Sequence, residues 1–366
     1  MLSSINSLIE NLKGVAETEH KPILFKLETN ADLTRFNALL KEYPFIQVID
    51  NISNQIKELI KITHPDKQLT EDEYIQKTNE FVDGKEPALV GTWCYYPWSR
   101  NLVHILNKDD YISVRTNRNL LKIKKEEQQL LLDKTIGIIG LSVGQAIAVT
   151  IAMERVCGKI KLADFDTVDL SNLNRLRTGV HNLGKSKVII AAREIAEIDP
   201  YIEIEIHKEG ISSKNIDDFI SDLSVLVEVC DDITTKITSR LAAKKYKVPV
   251  VMDTNDRGMV DVERFDLEPD RPIFHGLVNE TDLSHLSAIS HERKMGLIMK
   301  IVSFELTSDR LKESMSQIGK TISTWPQLAS SIMLGAGATV DCCRRILLNQ
   351  TTQSGRYYID LEQLVP

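Results

Sequence analysis

The chain has 366 residues, which allows one large domain and one smaller domain. Its formal net charge of −7 and its pI of about 5.7 give no general basic field, so we expect no nucleic-acid partner. The five cysteines form no Cys-x-x-Cys pair and the first residues lack the basic and apolar segments of a secretory signal, so we expect a cytoplasmic protein with reduced thiols.

Residues 1–110 are predicted to form a small α+β domain. Helical spacing or helix-start signals occur at Ile5–Leu12, Ala31–Tyr43, Ile56–Ile62 and Thr70–Glu73, and short apolar segments typical of strands occur at Pro22–Leu27 and Phe45–Ile49. Because the rest of the chain has a different pattern, we place a domain boundary after residue 110. We expect the first domain to help to select a partner or substrate.

Two of the three tryptophans and two tyrosines lie within residues 93–98. Such a cluster is typical either of the core or docking surface of a small domain or of a recognition surface, in which Trp and Tyr are favoured. Basic residues are not interleaved with these aromatic residues, so the cluster does not indicate binding of single-stranded nucleic acid. The sequence leaves the first two interpretations open.

The segment Thr135–Arg175 has the pattern around which the second domain is organised. A buried strand is predicted at Thr135–Ile139, an apolar helix ends near Gly158, and a second strand follows at Lys159–Ala163. Thr135–Met153 carries no charge, but glycines and polar residues interrupt it, so we predict no membrane span. The order strand, glycine-containing turn, helix, strand and acid is that of a nucleotide-binding βαβ unit.

The turn after the first of these strands has the composition of a phosphate site. Glycines there let backbone N–H groups at a helix N-terminus approach an anion, and the helix dipole favours negative charge at that point. An acid at the end of the second strand can accept hydrogen bonds from ribose hydroxyls. The residues predicted to bind a nucleotide on this basis are Gly140, Ser142, Gly144, Asp164 and Asp166.

Strands and helices continue to alternate after Arg175. Predicted helices are Lys187–Ile198, Lys236–Tyr246 and a C-terminal helix from Trp325 to about Leu348; predicted strands are Ile202–Ile206, Leu223–Val229 and Val248–Met252, with Met259–Leu267 and Ile273–Val278 extending the sheet or its rim. This alternation predicts the α/β class, with a Rossmann-like, doubly wound, mostly parallel sheet in residues 111–366. The smaller α+β domain precedes it.

Four motifs follow one another in a characteristic order. Arg115–Asn119 comes first, and Asp164–Arg175 then contains an Asp-x-Asp pair, a Ser-Asn-Leu triplet and an arginine. Gly184–Lys187 is a Gly-x-x-Lys motif, and Cys230–Asp232 follows a predicted strand. Together these motifs resemble those of the ThiF/MoeB/HesA family, the ubiquitin-activating-enzyme-like adenylyltransferases. The resemblance covers the chain from about Arg115 to its end.

The resemblance implies an enzyme that uses ATP and Mg²⁺. It implies that Asp164 binds the ribose and that Asn172, Arg175 and Lys187 contact the phosphates. It also implies that Asp231 holds or positions Mg²⁺, a cation that prefers carboxylate oxygen and water.

In the family, an arginine at the position of Arg118 reaches into the ATP site of the other subunit of a symmetric dimer. We therefore expect a homodimer in which Arg118 acts in trans. The catalytic residues that the resemblance implies are Arg118, Arg175, Lys187 and Asp231. The implied partners are a peptide or a small ubiquitin-like carrier protein.

The sequence departs from the family pattern in three respects. Ser142, Val143 and Gln145 stand at the later glycine positions of the family's Gly-x-Gly-Gly-x-Gly loop. Residues 271–277 stand where the first zinc-binding Cys-x-x-Cys pair is expected, so we predict no zinc. Residues 254–339 contain no cysteine, and a thioester step is therefore not expected.

Three hypotheses about function remain. The first is adenylation of the C-terminal carboxylate of a peptide or a small ubiquitin-like carrier, with release of pyrophosphate and without an enzyme thioester. The second is a catalytically weak nucleotide-binding module that acts as a scaffold, because the glycine loop is altered. The third is an NAD-dependent oxidoreductase, because a glycine turn alone does not distinguish ATP from a dinucleotide.

Overall fold

The computed structural model describes residues 18–43, 45–278, 290–350 and 352–365. The helix predicted at Ile5–Leu12 lies outside these ranges. The chain divides into two compact units, Met1–Ile123 and Lys124–Pro366. The division therefore falls after Ile123, later than the boundary that the sequence pattern suggested at residue 110.

The first unit contains a four-stranded sheet in the order β1-β3-β4-β2. Its strands are β1 (Ile23–Phe25), β2 (Gln47–Asp50), β3 (Thr92–Tyr96) and β4 (Asn101–Ile105), and its helices are α1 (Asn30–Glu42), α2 (Ile52–Thr63), α3 (Glu71–Val82) and α4 (Lys108–Arg115). Strand β3 pairs antiparallel with β1 and β4, whereas β2 runs parallel to β4. Thr70 caps α3 in a capping box with Glu73, as the sequence predicted.

The aromatic cluster of the first unit is part of its core. All five residues of β3 are buried, and Trp93 and Tyr95 pack with Phe25, Leu39 and Leu102. The interpretation of this segment as a small-domain core is therefore confirmed.

The second unit contains a seven-stranded sheet in the order β11-β10-β9-β8-β5-β6-β7. Its strands are β5 (Thr135–Ile139), β6 (Lys159–Ala163), β7 (Glu203–His207), β8 (Val225–Glu228), β9 (Val250–Asp253), β10 (Met259–Glu263) and β11 (Gly355–Tyr358). Strands β5 to β9 are mutually parallel, and β10 and β11 are added antiparallel at one edge. The predicted α/β class with a mostly parallel sheet is confirmed.

Helices cover both faces of this sheet. The helices are α5 (Lys125–Leu132), α6 (Gly144–Glu154), α7 (Lys187–Ile198), α8 (Ile216–Ile220), α9 (Ile233–Tyr246), α10 (His291–Ile301), α11 (Asp309–Gln317), α12 (Ala329–Leu347) and α13 (Leu361–Leu364). A Cβ at Gly137 of β5 would meet Phe219 of α8, whereas a Cβ at Gly144 of α6 would meet the side chain of Ile138. Neighbouring strand residues point to opposite faces, so α6 and α8 lie on opposite sides.

The uncharged segment Thr135–Met153 is divided between β5 and α6. Helix α6 has 11 residues, most of them buried, and it packs against α7 and α12. Its apolar composition is therefore explained by burial inside the sheet-and-helix core. Within the described part of the chain, none of the helices has both the length and the apolar character that crossing a bilayer requires.

Two predictions about the C-terminal part of the chain are wrong. Ile273–Gly276 forms a tight turn and not the start of a strand, because Phe274 and His275 have φ values of 50° and 57°, which a strand does not allow. The strand beside β10 is instead β11, which the sequence analysis missed. The C-terminal helix begins at Ala329 and not at Trp325.

Candidate functional site

The predicted site residues follow neighbouring strands at the carboxyl edge of the sheet. Gly140 comes after β5, Asp164 after β6 and Asp231 after β8, and β5 lies between β6 and β8. The chain moves outward from β5 to β7 and then returns to β8 on the other side of β5, so the site lies at a topological switch point.

Gly140 is required for the backbone geometry of the turn. Its φ is 92°, and a Cβ there would lie 2.8 Å from both the backbone N and Cα of Cys230. Among the described residues of the turn 140–144, only Gly140 has a positive φ. Other residues can therefore occupy the later glycine positions of the family loop without straining the backbone of this chain.

Asp164 connects the turn to the end of β6. Its Oδ2 accepts a hydrogen bond from the backbone N of Leu141 at 2.6 Å, and its Oδ1 accepts one from the backbone N of Asp166 at 2.8 Å. Burial raises the pKa of Asp164, while these two backbone hydrogen bonds oppose the shift. The carboxyl group predicted to contact ribose is therefore fixed by the turn itself.

Helix α6 begins at Gly144, and none of the described side chains caps its N-terminus. A Cβ at Gly144 would lie 2.7 Å from Cγ2 of Ile138, so this glycine allows close packing of the helix on β5. Gln145 is buried and donates to Glu194 Oε2 at 2.9 Å, which ties α6 to α7. The first N–H groups of an uncapped helix form a site for an anion.

Lys187 lies at the start of α7 and pairs with Asp166. Its Nζ is 2.8 Å from Asp166 Oδ2, and its backbone N donates to the carbonyl oxygen of Asp166 at 2.9 Å. The side chain of Lys187 is 7% exposed, whereas that of Asp166 is 51% exposed. The structure therefore brings these two predicted residues together. The side chain of Lys187 is mostly buried, whereas that of Asp166 reaches the surface.

Arg175 contacts the turn that follows β5. Its Nε donates to Ser142 Oγ at 3.1 Å, and its Nη1 donates to Asn174 Oδ1 at 2.9 Å. Burial lowers the pKa of Arg175, and the negative charge of Asp231 opposes this shift. The guanidinium of Arg175 therefore contacts the turn through Ser142 and also interacts electrostatically with Asp231.

Asn172 is buried and has a local structural role. Its Oδ1 accepts a hydrogen bond from the backbone N of Asp169 at 3.0 Å, within the capping box of the 3-10 helix Leu170–Asn174. Because phosphate oxygens accept hydrogen bonds, a contact from Asn172 to phosphate has to come from its amide NH₂ group.

Asp231 is exposed, and a buried charge network supports the turn that carries it. Glu228 Oε1 accepts from the backbone N of Cys230 at 2.9 Å, and Glu228 also pairs with Lys236 and with the buried Arg240. Asp232 is used as the N-cap of α9. The network therefore fixes the backbone next to Asp231, whose carboxylate remains exposed.

Arg118 belongs to the first unit. It lies in the 3-10 helix Asn117–Asn119, directly after α4, and its side chain is exposed. Its contact with the nucleotide site of a second subunit stays a prediction.

A cavity of about 180 Å³ lies at the carboxyl ends of β8 and β9, and Asp231 is among its lining residues. The sequence analysis missed Asp253, which also lines this cavity. Asp253 is 4% exposed, burial raises its pKa to about 7, and its Oδ2 has no hydrogen-bond partner in the described part of the chain. In the sequence, Asp253 could have been recognised by its position at the end of a predicted strand, because Asp164 and Asp231 also follow predicted strands.

The parallel sheet, its switch point, the uncapped helix N-terminus and the acid after β6 together define a Rossmann-like nucleotide-binding unit. The profile of the ThiF family matches residues 116–352. The chain therefore belongs to the ThiF family.

Three similar proteins illustrate the relationship. The chain is 39% identical over 323 residues to the uncharacterized protein MT1398 of Mycobacterium tuberculosis, covering 88% of this chain and 43% of that protein. It is 35% identical over 118 residues to ubiquitin-like modifier-activating enzyme 5 of Drosophila persimilis, covering 31% of this chain and 29% of that protein. The chain thus spans less than half the length of either relative. The crystal structure of E. coli tRNA N6-threonylcarbamoyladenosine dehydratase, TcdA, is 17% identical, with a TM-score of 0.47 over 67% of this chain and 98% of TcdA.

Proposed function

We propose that this protein is an ATP-dependent adenylyltransferase that activates a carboxylate. The carboxylate oxygen attacks the α-phosphorus of ATP, a new P–O bond forms, and the bond to the β-phosphate breaks, so that an acyl adenylate and pyrophosphate result. The observation that carries the proposal is the convergence of Asp164, Lys187, Arg175 and Asp231 around one uncapped helix N-terminus in a ThiF-family chain.

Each of these groups has a role that follows from its charge. Asp164 accepts hydrogen bonds from the ribose, and the N–H groups at the start of α6 face the phosphates. Arg175 and Lys187 stabilise the negative charge that builds up on the phosphate oxygens as pyrophosphate leaves. Groups held in place before the reaction need no reorganisation at the transition state, and the contacts to Ser142 and Asp166 hold these two cations.

The donor set at Asp231 fits Mg²⁺. Within the described ranges, no group of three or more His, Cys, Asp or Glu side chains could hold a metal by itself. Mg²⁺ is commonly held by one or two carboxylates together with substrate phosphates and water, and it neutralises phosphate charge when bound. An exposed carboxylate on a fixed turn meets this requirement, so we assign the metal to Asp231.

For the substrate, we propose the C-terminal carboxylate of a peptide or of a small ubiquitin-like carrier protein, activated without an enzyme thioester. Burial raises the pKa of Cys94 and of Cys157 to about 12, and it also raises the pKa of Cys230, which lies next to Asp231. Because the thiolate is the nucleophile, these thiols are unsuited to accept an acyl group.

We further propose that the active form is a homodimer in which Arg118 acts in trans. A guanidinium binds phosphate oxygens in a bidentate manner and can stabilise charge at a site in another subunit.

The proposal is tested by titration calorimetry with ATP·Mg²⁺ and with NAD, followed by ATP–pyrophosphate exchange in the presence of peptides. We expect ATP to bind, NAD not to bind, and exchange to depend on a free C-terminal carboxylate. ATP binding without exchange would favour the scaffold hypothesis. Binding of NAD alone would favour an oxidoreductase.

A further inference from the structure

The cavity at the ends of β8 and β9 adjoins the proposed nucleotide site, because Val143 at the start of α6 and Asp231 are among its lining residues. The sheet order is β9-β8-β5-β6, so Asp231 after β8 stands between the cavity and Asp164 after β6. If the ribose is at Asp164 and the β- and γ-phosphates are at the N-terminus of α6, the α-phosphorus faces Asp231 and the cavity. A carboxylate that comes from the cavity can then reach the α-phosphorus opposite the bond to the β-phosphate, as the release of pyrophosphate requires.

Polar residues, among them Asp231 and Asp253, line the sheet side of the cavity, and the opposite wall is mostly apolar. It is formed by Ile298 and Ile301 of α10, Leu311 and Met315 of α11, and Trp325. Leu311 and Met315 are four residues apart and therefore lie on the same face of their helix. A cavity of about 150 Å³ can hold benzene, so the volume of about 180 Å³ is enough for one large apolar side chain.

Hydrogen bonds to the edge of the sheet hold this wall. Asp256, in the loop after β9, accepts from the backbone N of Ser308 at 2.9 Å and from its Oγ at 2.6 Å, directly before α11. Asn174 Nδ2 donates to the carbonyl oxygen of Gln327 at 2.7 Å. The cavity is therefore built by specific contacts, one of which comes from the residue next to Arg175.

We propose that this cavity binds the side chain of the residue whose carboxylate is adenylated, and that this residue is a large apolar one of the size of Leu, Ile, Met or Phe. The inference rests on the proposed adenylation and specifies its substrate. A carrier that ends in glycine has no side chain to place in the cavity and leaves its apolar wall unfilled. The cavity thus selects a peptide with an apolar C-terminal residue over a carrier with a glycine terminus.

The expected preference for leucine over glycine follows from the number of side-chain carbon atoms that the cavity would bury. One methylene in an apolar pocket changes selectivity by roughly 10- to 200-fold, and a leucine side chain offers four carbons where glycine has none. We therefore expect a preference of at least about 30-fold for leucine over glycine, allowing for incomplete desolvation.

The test uses non-hydrolysable acyl-adenylate mimics, 5′-O-(N-acylsulfamoyl)adenosines that carry N-acetylglycyl, N-acetylleucyl or N-acetylphenylalanyl groups, with dissociation constants from titration calorimetry. We expect the leucyl or phenylalanyl compound to bind at least about 30-fold more tightly than the glycyl compound. Equal binding of all three, within about threefold, overturns the inference and leaves adenylation standing. If none of them binds, the nucleotide site and the proposed function fail together.

Variants of α11 connect the preference to the cavity. Met315→Trp fills the cavity, so the preference for leucine should fall below about threefold while the glycyl compound still binds. The matched control is Met333→Trp, an exposed methionine on α12, which should keep the full preference. Leu311→Ala enlarges the cavity and should move the preference from leucyl to phenylalanyl. An unchanged preference in folded Met315→Trp and Leu311→Ala proteins would contradict the proposed position of the side chain.

Discussion

At the scale of single residues, Lys187 is already engaged by Asp166. An ammonium group has three donors, so Nζ can keep this contact and still donate to a phosphate oxygen. Asp166 is half exposed, and the pair therefore adds little to stability. We infer that Asp166 orients the side chain of Lys187 towards the phosphates.

Replacing Lys187 by alanine should abolish most adenylate formation and leave the fold intact. Loss of a cation at the phosphates reduces ATP–pyrophosphate exchange by about 100- to 1,000-fold. The free energy of unfolding should fall by only about 1–2 kcal/mol, because the variant loses the buried stem of Lys187 and an ion pair whose acidic partner is half exposed. The exposed Lys214→Ala is the control and should behave as wild type in both measurements. Exchange at the wild-type rate in Lys187→Ala would show that the lysine has no role at the phosphates.

Asp253 should make the stability of the protein depend on pH. Its folded-state pKa of about 7 lies above its ordinary value of 3.8, because the carboxyl group is buried. Between these values the unfolded chain loses a proton that the folded protein retains, so stability falls as pH rises from about 4 to about 7 and then levels off. The full effect is on the order of 4 kcal/mol.

The pH effect is measured by urea unfolding of wild type and Asp253→Asn at pH 5, 6, 7 and 8. The stability of the wild type relative to the variant should decrease steadily across this series up to about pH 7. A difference in stability that is the same at every pH would mean that Asp253 titrates normally in the folded protein.

At the scale of elements, the packing of α12 on β9 depends on one glycine. A Cβ at Gly335 would overlap the carboxylate oxygens of Asp253, whereas a Cβ at Gly337 would meet no described atom within 4 Å. Only the first of these two glycines is therefore required by close contact, although both lie in the same helix.

The two glycines should respond in opposite directions to alanine. Gly335→Ala should lower the free energy of unfolding by about 1–3 kcal/mol, because the added methyl group overpacks the contact with β9. Gly337→Ala should raise it by about 0.5–1 kcal/mol, because alanine is the better helix former. Thermal and urea unfolding of both variants measure the difference. Equal effects would show that the contact between Gly335 and Asp253 does not limit the packing of α12.

At the scale of the whole molecule, the trans role of Arg118 predicts complementation between subunits. Arg118→Ala and Asp231→Ala should each be nearly inactive alone. When they are refolded together in equal amounts, about half of the dimers are mixed, and each mixed dimer contains one site with both residues intact. ATP–pyrophosphate exchange should then recover to about a quarter of wild type. If Arg118 acts in cis, every site carries one lesion and the mixture stays inactive.

The sequence by itself determined the alternation of strands and helices along most of the second unit and the positions of the acids at the strand ends. The short, isoleucine-rich run Thr135–Ile139 stops at a glycine, which is typical of a buried strand, and the motifs around Asp164 and Asp231 are contiguous in the chain. Helix α7 was predicted with its observed ends, Lys187–Ile198, because its apolar spacing is local and a proline follows it.

The tertiary structure alone decided the features that depend on residues far apart in the chain. Phe274 turns out of a strand because its backbone N donates to Glu263 and its ring lies 3.9 Å from the guanidinium of Arg240. The pKa of Asp253 rises because burial against α12 removes water from its carboxylate. The apolar wall opposite Asp231 likewise exists only after α10 and α11 pack at the sheet edge. The burial of Asp253 and the shape of the cavity depend on which distant segments pack against each other. A local pattern of residues does not predict that packing.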